Sequence, residues 1–442
     1  MIFKSSLISA LGVSLLLAVV AAACGDGGGD SGPAPEPAPT ATAMPPPVAV
    51  QTPRADDTPG PDATAAVSTP VAEATPVVVN GDVNLSATSR TGDERPAPEL
   101  TDITGWINSE PFTLESRQGE VVLIDFWTYT CVNCIRTLPY LRSWHKKYAD
   151  KGLVILGVHS PEFEFEKLRE NVVKAMGNLG VEYAVAQDNE FGTWRAFRNR
   201  YWPSKYLIDR DGYIRYSHFG EGSYQETEQK IRELLVEIGA DLSDVSPDTE
   251  PEAVVDPASL TNNPKVARTR ELYAGYERNN SALQSQTTPP YILHSEYYED
   301  QDVDILYKDP RTHENHFIYL QGMWTNNAER LVHARETENY EDYIAIRFYA
   351  TSVNAVMAPL NPGTLTVRLT LDGEPVMPKI AGGDVMYDED GNSYFTVDEA
   401  RMFFLVDKER FSGHELVLSA NSADFSLFAF TFGSYEGGEP GS

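Results

Sequence analysis

The stretch Val121 to Pro139, VVLIDFWTYTCVNCIRTLP, limits the possible folds more than any other part of the chain. Val121 to Trp127 is an apolar run rich in β-branched and aromatic residues, which reads as a strand. After the short turn Thr128-Tyr129-Thr130 come Cys131 and Cys134, then a helical pattern with Ile135, Leu138, Leu141, Trp144 and Tyr148 on one face. A strand therefore hands directly to a helix, with Cys131 at the junction. The unpaired N–H groups and partial positive charge of a helix N-terminus favour thiolate over thiol, so Cys131 is expected to have a lowered pKa. Cys131 is the candidate nucleophile. Cys134, one turn inward on the same face, is close enough to close a disulfide and is the candidate resolving thiol.

The same spacing can supply half of a zinc site. A structural site takes four ligands, however, and the third cysteine, Cys24, lies far upstream. Two packed structural cysteines are the other alternative. A place between a buried strand and a helix start is what redox chemistry requires and packing does not, so redox chemistry is favoured, with no metal and no cofactor beyond the Cys131/Cys134 disulfide.

The 442 residues suit two domains plus linkers. A formal net charge of −30, from 65 acidic and 35 basic residues, would repel a phosphate backbone and makes nucleic acid a poor partner. Lys4, an apolar run from Leu7 to Val20, and Ala21-Ala22-Ala23-Cys24-Gly25 make a secretory signal over residues 1–24 with cysteine at the cleavage point, a bacterial lipobox pattern with Ala21 where Leu is commonest. Cys24 is the expected lipidation site, which would anchor the protein at the extracytoplasmic face of the cell membrane. An uncleaved anchor and a plain secreted product are the alternatives. Residues 25–98, dominated by Pro, Ala, Thr, Gly and Asp, read as a disordered tether.

Residues 99–240 alternate strand and helix. Leu153 to His159 is a second strand, Glu164 to Met176 a helix, Tyr183 to Ala186 a strand, Glu190 to Tyr201 a helix, and Lys205 to Asp209 with Tyr213 to Ser217 a hairpin. Ser223 and Glu226 form a capping box for a last helix stopped by Gly239. Such an order describes a mixed α/β sheet. Residues 241–263 are acidic and proline-bearing, a linker. Residues 264–436 change to alternating strands, as in Leu365, Val367, Leu369 and Leu371 or Phe428, Phe430 and Phe432, which describe an all-β sandwich, a jelly roll.

The segment 99–240 resembles the thioredoxin superfamily, within it the extracytoplasmic TlpA and redoxin group, and most of all the thioredoxin-like part of DipZ-type proteins. The resemblance is carried by Asp125-Phe126-Trp127 followed by Cys131-x-x-Cys134 and Pro139, and by Trp202-Pro203-Ser204-Lys205-Tyr206-Leu207-Ile208-Asp209. It implies a thioredoxin-like fold in which Cys131 attacks a substrate disulfide and Cys134 resolves the mixed disulfide. Asp125 would be the buried carboxylate that exchanges a proton with Cys134, against the alternative of an ordinary strand-end aspartate. Pro203 would be cis, the backbone of Trp202 would pair with an extended substrate, and Trp127 and Tyr129 would flank the site, with core packing the equal alternative for Trp127. Implied partners are extracytoplasmic protein disulfides and a membrane thiol electron donor of the CcdA/DsbD kind.

Val132 and Asn133 stand where thioredoxin has Gly-Pro, and Thr137 where several cytochrome-maturation reductases have an acid, so the direction of electron flow stays open. His159 and Glu162 lie at a sheet end where sites gather, although polar loop residues are common there. Residues 264–436 resemble the module that follows in DipZ-type proteins, which is similar to carbohydrate-binding modules. Trp324, Tyr297, Tyr298, Tyr319 and Tyr349 could stack on sugars or fill a core, and His313-x-x-His316 reads as surface. A thiol peroxidase, with Thr128 three residues before Cys131, and a glycan- or wall-binding lipoprotein with a vestigial dithiol are the rival readings.

Overall fold

The computed structural model describes residues 95–248, 253–279 and 289–437. The signal, Cys24 and almost all of the tether lie outside the described residues.

The first sheet holds β1 (Arg95–Pro96), β2 (Gly105–Ile107), β3 (Val121–Trp127), β4 (Leu153–His159), β5 (Ala184–Gln187), β6 (Ser204–Ile208) and β7 (Tyr213–Phe219), in the order β1-β7-β6-β3-β4-β5-β2. β3, β4 and β5 run parallel, and β6 and β7 return antiparallel as a hairpin. Helices α1 (Val132–Tyr148), α2 (Arg169–Leu179), α3 (Gly192–Phe197) and α4 (Tyr224–Glu237) connect them. Every residue of β3 is buried, as expected of a strand covered on both faces. Its alternation is sharp: Val122, Ile124 and Phe126 join one core with Trp194 and Phe197, while Val121, Leu123 and Trp127 join another with Cys134, Leu138 and Leu141 of α1. Asp125 occupies a position in this second series that an apolar side chain would otherwise fill.

Three local expectations fail, each for a physical reason. The helix from Glu164 is interrupted: a 3-10 turn, Glu164–Lys167, is separated from α2 by extended Leu168. Glu166, wholly buried, accepts from the Phe163 N–H at 3.0 Å and from the Thr130 hydroxyl, which holds the turn tight. α3 is shorter than Glu190 to Tyr201 because Phe191 and Arg198 are both left-handed (φ 56°), and the Asp188 carboxylate takes the Thr193 and Trp194 N–H groups at 3.0 and 2.8 Å. Ser223 is left-handed too (φ 49°), and its side chain does not cap α4, so the capping box is absent.

The second sheet has eleven strands: β8 (Leu272–Tyr273), β9 (Asp304–Tyr307), β10 (Ile318–Asn326), β11 (Leu331–His333), β12 (Asp342–Pro359), β13 (Leu365–Leu371), β14 (Glu374–Pro375), β15 (Met386–Tyr387), β16 (Ser393–Val397), β17 (Arg401–Ala420) and β18 (Phe425–Gly433). All its ladders are antiparallel. β12 is long and bent: its first part pairs with β10 and its last with β18, with register shifts at Ala350/Ser352 and Val353/Asn354 along β17. Bending lets one strand serve both layers of an all-β sandwich around a single apolar core.

Residues 241–263, expected as a linker, are packed where they are described. Lys147 Nζ meets Asp248 at 2.5 Å, and Asp256 Oδ2 accepts from the Phe411 N–H at 2.9 Å. Among the described residues no helix is long and apolar enough to cross a membrane.

Candidate functional site

Cys131 is the N-cap residue of α1, with extended backbone (φ −81°, ψ 111°), and its Sγ accepts the Cys134 N–H at 3.3 Å. Both cysteines are free thiols, Cys131 partly exposed and Cys134 buried. The expectation of a lowered Cys131 pKa is overturned. Burial pushes its thiol up, the Glu162 and Glu271 carboxylates add to this, and the hydrogen bonds from Cys134 offset only part. Cys134 is pushed further up by burial, by Cys131 and by Asp125.

Asp125 is 1% exposed, and on β3 it lies in register with Gly157 of β4 and Lys205 of β6. Burial raises its carboxyl to about 7, with Lys205 pulling in the opposite direction. Lys205 is fully buried, and its ammonium lies 5.6 Å from the Tyr224 ring centroid; burial lowers its pKa and Asp125 resists that shift. Neither the Asp125 carboxylate nor Lys205 Nζ makes a hydrogen bond among the described residues. Sequence reasoning missed Lys205. The available signal was a lysine in the second position after Pro203, inside a strand otherwise fit for burial. Tyr183 was missed as well: its hydroxyl is buried without a hydrogen bond among the described residues, and the charges of Asp125 and Cys134 both act on it.

The Trp202–Pro203 bond is cis. The Trp202 indole N–H donates to Ser160 O at 3.1 Å and its ring leans on Trp194 at 4.4 Å, while the Pro203 carbonyl accepts from Gly220 at 2.8 Å. Trp127 takes the core-packing alternative and Tyr129 is a correction: both are buried, so neither offers a surface to a partner. Trp127 packs edge-on to His159 at 5.4 Å, and Tyr129 stacks on His159 at 5.7 Å. Burial holds His159 down at about 3, so it is neutral and serves this packing.

The sandwich reaches the dithiol. Val132, beside Cys131, is 5% exposed because it shares an apolar cluster with Phe163 and with Val356, Ala358, Met402, Phe428 and Ala429. The Tyr129 hydroxyl donates to Ala400 O at 3.4 Å. Glu162 accepts from the Tyr273 hydroxyl at 2.8 Å and from Arg278, whose Nη2 also donates to the Glu162 carbonyl at 3.0 Å. Glu162 therefore joins the two domains.

Of the rings considered for sugars, Trp324, Tyr297 and Tyr319 are buried at 0–1% exposure, which leaves only Tyr298 and Tyr349 partly exposed. His313 is no surface residue: it bonds Asp309 at 2.7 Å and Glu415 at 3.1 Å, and it stacks on Tyr319 at 4.2 Å. His316 is partly buried and bonds Thr269 at 2.8 Å. Among the described residues no group of three or more His, Cys, Asp or Glu is placed to hold a metal ion.

A parallel β3-β4-β5 core with an antiparallel hairpin, Cys131-x-x-Cys134 at the start of α1 and a cis-proline before β6 define a domain of the thioredoxin superfamily. Residues 91–235 match the Redoxin family, and residues 269–433 match the family described as thioredoxin like C-terminal domain. Protein DipZ of Mycobacterium tuberculosis (strain CDC 1551 / Oshkosh) is 35% identical over 309 residues, covering 66% of this chain and 40% of that protein. Protein DipZ of Mycobacterium bovis matches to the same extent. The thiol-disulfide oxidoreductase YkuV of Bacillus subtilis is 28% identical over 144 residues, covering 32% of this chain and 96% of that protein. The chain thus spans about 40% of the length of the DipZ proteins it matches.

Proposed function

We propose that the protein is a thiol-disulfide oxidoreductase that reduces protein disulfides with its Cys131/Cys134 dithiol, outside the cytoplasmic membrane and tethered to it through Cys24. The observation that carries this reading is the combination of three groups: Cys131 capping α1, Cys134 buried one turn on, and buried Asp125, whose charge acts on Cys134 and whose own carboxyl is raised to about 7. The match to a named thiol-disulfide oxidoreductase over 96% of its length supports the same chemistry.

In this reading the Cys131 thiolate attacks one sulfur of the substrate disulfide. A mixed disulfide forms, and the first substrate sulfur leaves as a thiolate that takes up a proton. The Cys134 proton passes to the Asp125 carboxylate, and the Cys134 thiolate attacks Cys131 Sγ, closing the protein disulfide and releasing the second substrate thiol. Two electrons and two protons pass to the substrate. A carboxyl near 7 can both accept and return a proton at neutral pH, which an ordinary aspartate cannot do efficiently. Lys205 keeps that carboxyl from rising further. A membrane thiol donor would reduce the dithiol again.

Thr128 is buried with its hydroxyl 3.3 Å from His159 Nε2, which favours the disulfide reading over a peroxidase. The test is turnover with a protein disulfide and a thiol reductant. Cys131→Ser should abolish it while the circular dichroism spectrum stays unchanged, and full activity in that variant would overturn the proposal.

A further inference from the structure

Two separate parts of the sandwich stand against the dithiol region. At Val132, next to Cys131, the Phe428 ring meets Phe163 at 5.1 Å and Phe165 at 4.9 Å, both edge-on. Phe428, Val356, Ala358, Met402 and Ala429 form this cluster apart from the sandwich's own core. Near the cis-proline segment, the Tyr435 hydroxyl donates to Glu221 Oε2 at 2.7 Å, and Arg136 of α1 lies 3.0 Å from Glu221 and 5.1 Å from the Tyr435 ring. Glu221 directly follows Gly220, the residue bonded to the Pro203 carbonyl. The first contact covers the residue that follows Cys131, and the second covers the residue that follows Gly220, which bonds the cis-proline.

A folded partner needs several hundred Å² of free surface around the reacting sulfur, since specific interfaces bury roughly 800 Å² per partner. Val132 and Phe163 cannot supply it, because the sandwich already covers them. An extended segment needs only the width of a strand, about 5 Å, and it can take its hydrogen bonds from exposed main chain. The main chain of Trp202 makes no hydrogen bond among the described residues, so it is available to such a segment.

We propose that the sandwich is a specificity element of the dithiol site, barring disulfides held in compact folded domains while small and linear disulfides still reach Cys131. The proposal rests on the reading of Cys131 as nucleophile. Its residues are Phe428 and Phe163, one from each domain. Neither touches the reacting sulfurs, and both set what can approach them.

The test compares three oxidants of the fully reduced full-length chain: 5,5′-dithiobis(2-nitrobenzoic acid), a linear peptide bearing a glutathione mixed disulfide, and native insulin. The small disulfide and the peptide should react at rates of the same order, with insulin at least about tenfold slower. Phe428→Ser, and independently Phe163→Ser, should speed insulin reduction by about fivefold or more and leave the small disulfide within about twofold. Either variant suffices if the other fails to fold. Insulin reduced by the unaltered chain as fast as the peptide overturns the proposal, as does an unchanged insulin rate in the folded variants. A chain inert to all three oxidants overturns the dithiol reading itself, and the specificity proposal falls with it.

Discussion

Asp125 and Lys205 face each other across the β3–β6 ladder, both buried, and neither side chain makes a hydrogen bond among the described residues. Two opposite charges whose side chains make no hydrogen bond are costly to keep ionised in a buried layer, because their attraction only partly offsets desolvation. The pair is therefore poised to change protonation. That suits a site that must move a proton to and from Cys134.

The sign of the resulting pH dependence follows from Asp125. Its carboxyl is at about 7 in the folded chain, against an ordinary value of 3.8. The folded state holds the proton where the unfolded state has lost it. This stabilisation is full below about pH 4 and is lost as pH rises to about 7, on the order of a few kcal/mol in all. Urea denaturation of residues 95–437 at a series of pH values should show this decline. Asp125→Asn should make it shallower and leave the share of Glu166, Asp188 and Glu271, whose carboxyls burial raises to about 7, 6 and 8.

Lys205→Met removes the cation that lowers the Asp125 carboxyl. The carboxyl should then titrate higher, by roughly one unit. Carboxyl titration by NMR reads this directly, and the pH midpoint of mixed-disulfide resolution should move up with it.

Cys131 is held up partly by the acids Glu162 and Glu271. Burial raises the Glu271 carboxyl to about 8, so it bears on the sulfur only above that pH; Glu271→Gln should lower the thiol pKa by about half a unit and raise the rate of iodoacetamide alkylation at about pH 9 roughly threefold. A rate that falls or stays level would show that this carboxylate does not act on the sulfur.

Gly157 lies beside Asp125 in the β3–β4 ladder, and a Cβ there would meet Trp127 Nε1 at 2.8 Å and Val185 Cγ2 at 3.1 Å. Neither neighbour is the free end of a flexible side chain. Gly157→Ala should cost about 1–3 kcal/mol by overpacking, read as a lower denaturation midpoint with an unchanged slope.

Features that depend on neighbours along the chain are legible in the amino-acid sequence. The apolar run of β3, the Cys131-x-x-Cys134 spacing at a helix start and the alternation in β13 all come from local periodicity, which one stretch of residues carries by itself. The Trp202-Pro203 segment is legible only as a motif. What sequence could not supply was every relationship that depends on sheet register or domain docking. Lys205 opposes Asp125 because β6 returns antiparallel to β3 in one register, and a shift of one residue would put it on the other face. Ser223 has the residue type of a cap, but its left-handed backbone turns the chain before α4 can use it. The Cys131 thiol was expected to fall because a helix N-terminus is local, yet burial first, then Glu162, and then Glu271, 140 positions away on the sandwich, push it up. Chain periodicity determined which residues could do chemistry; the packing of two domains decided their charge, their exposure and what can reach them.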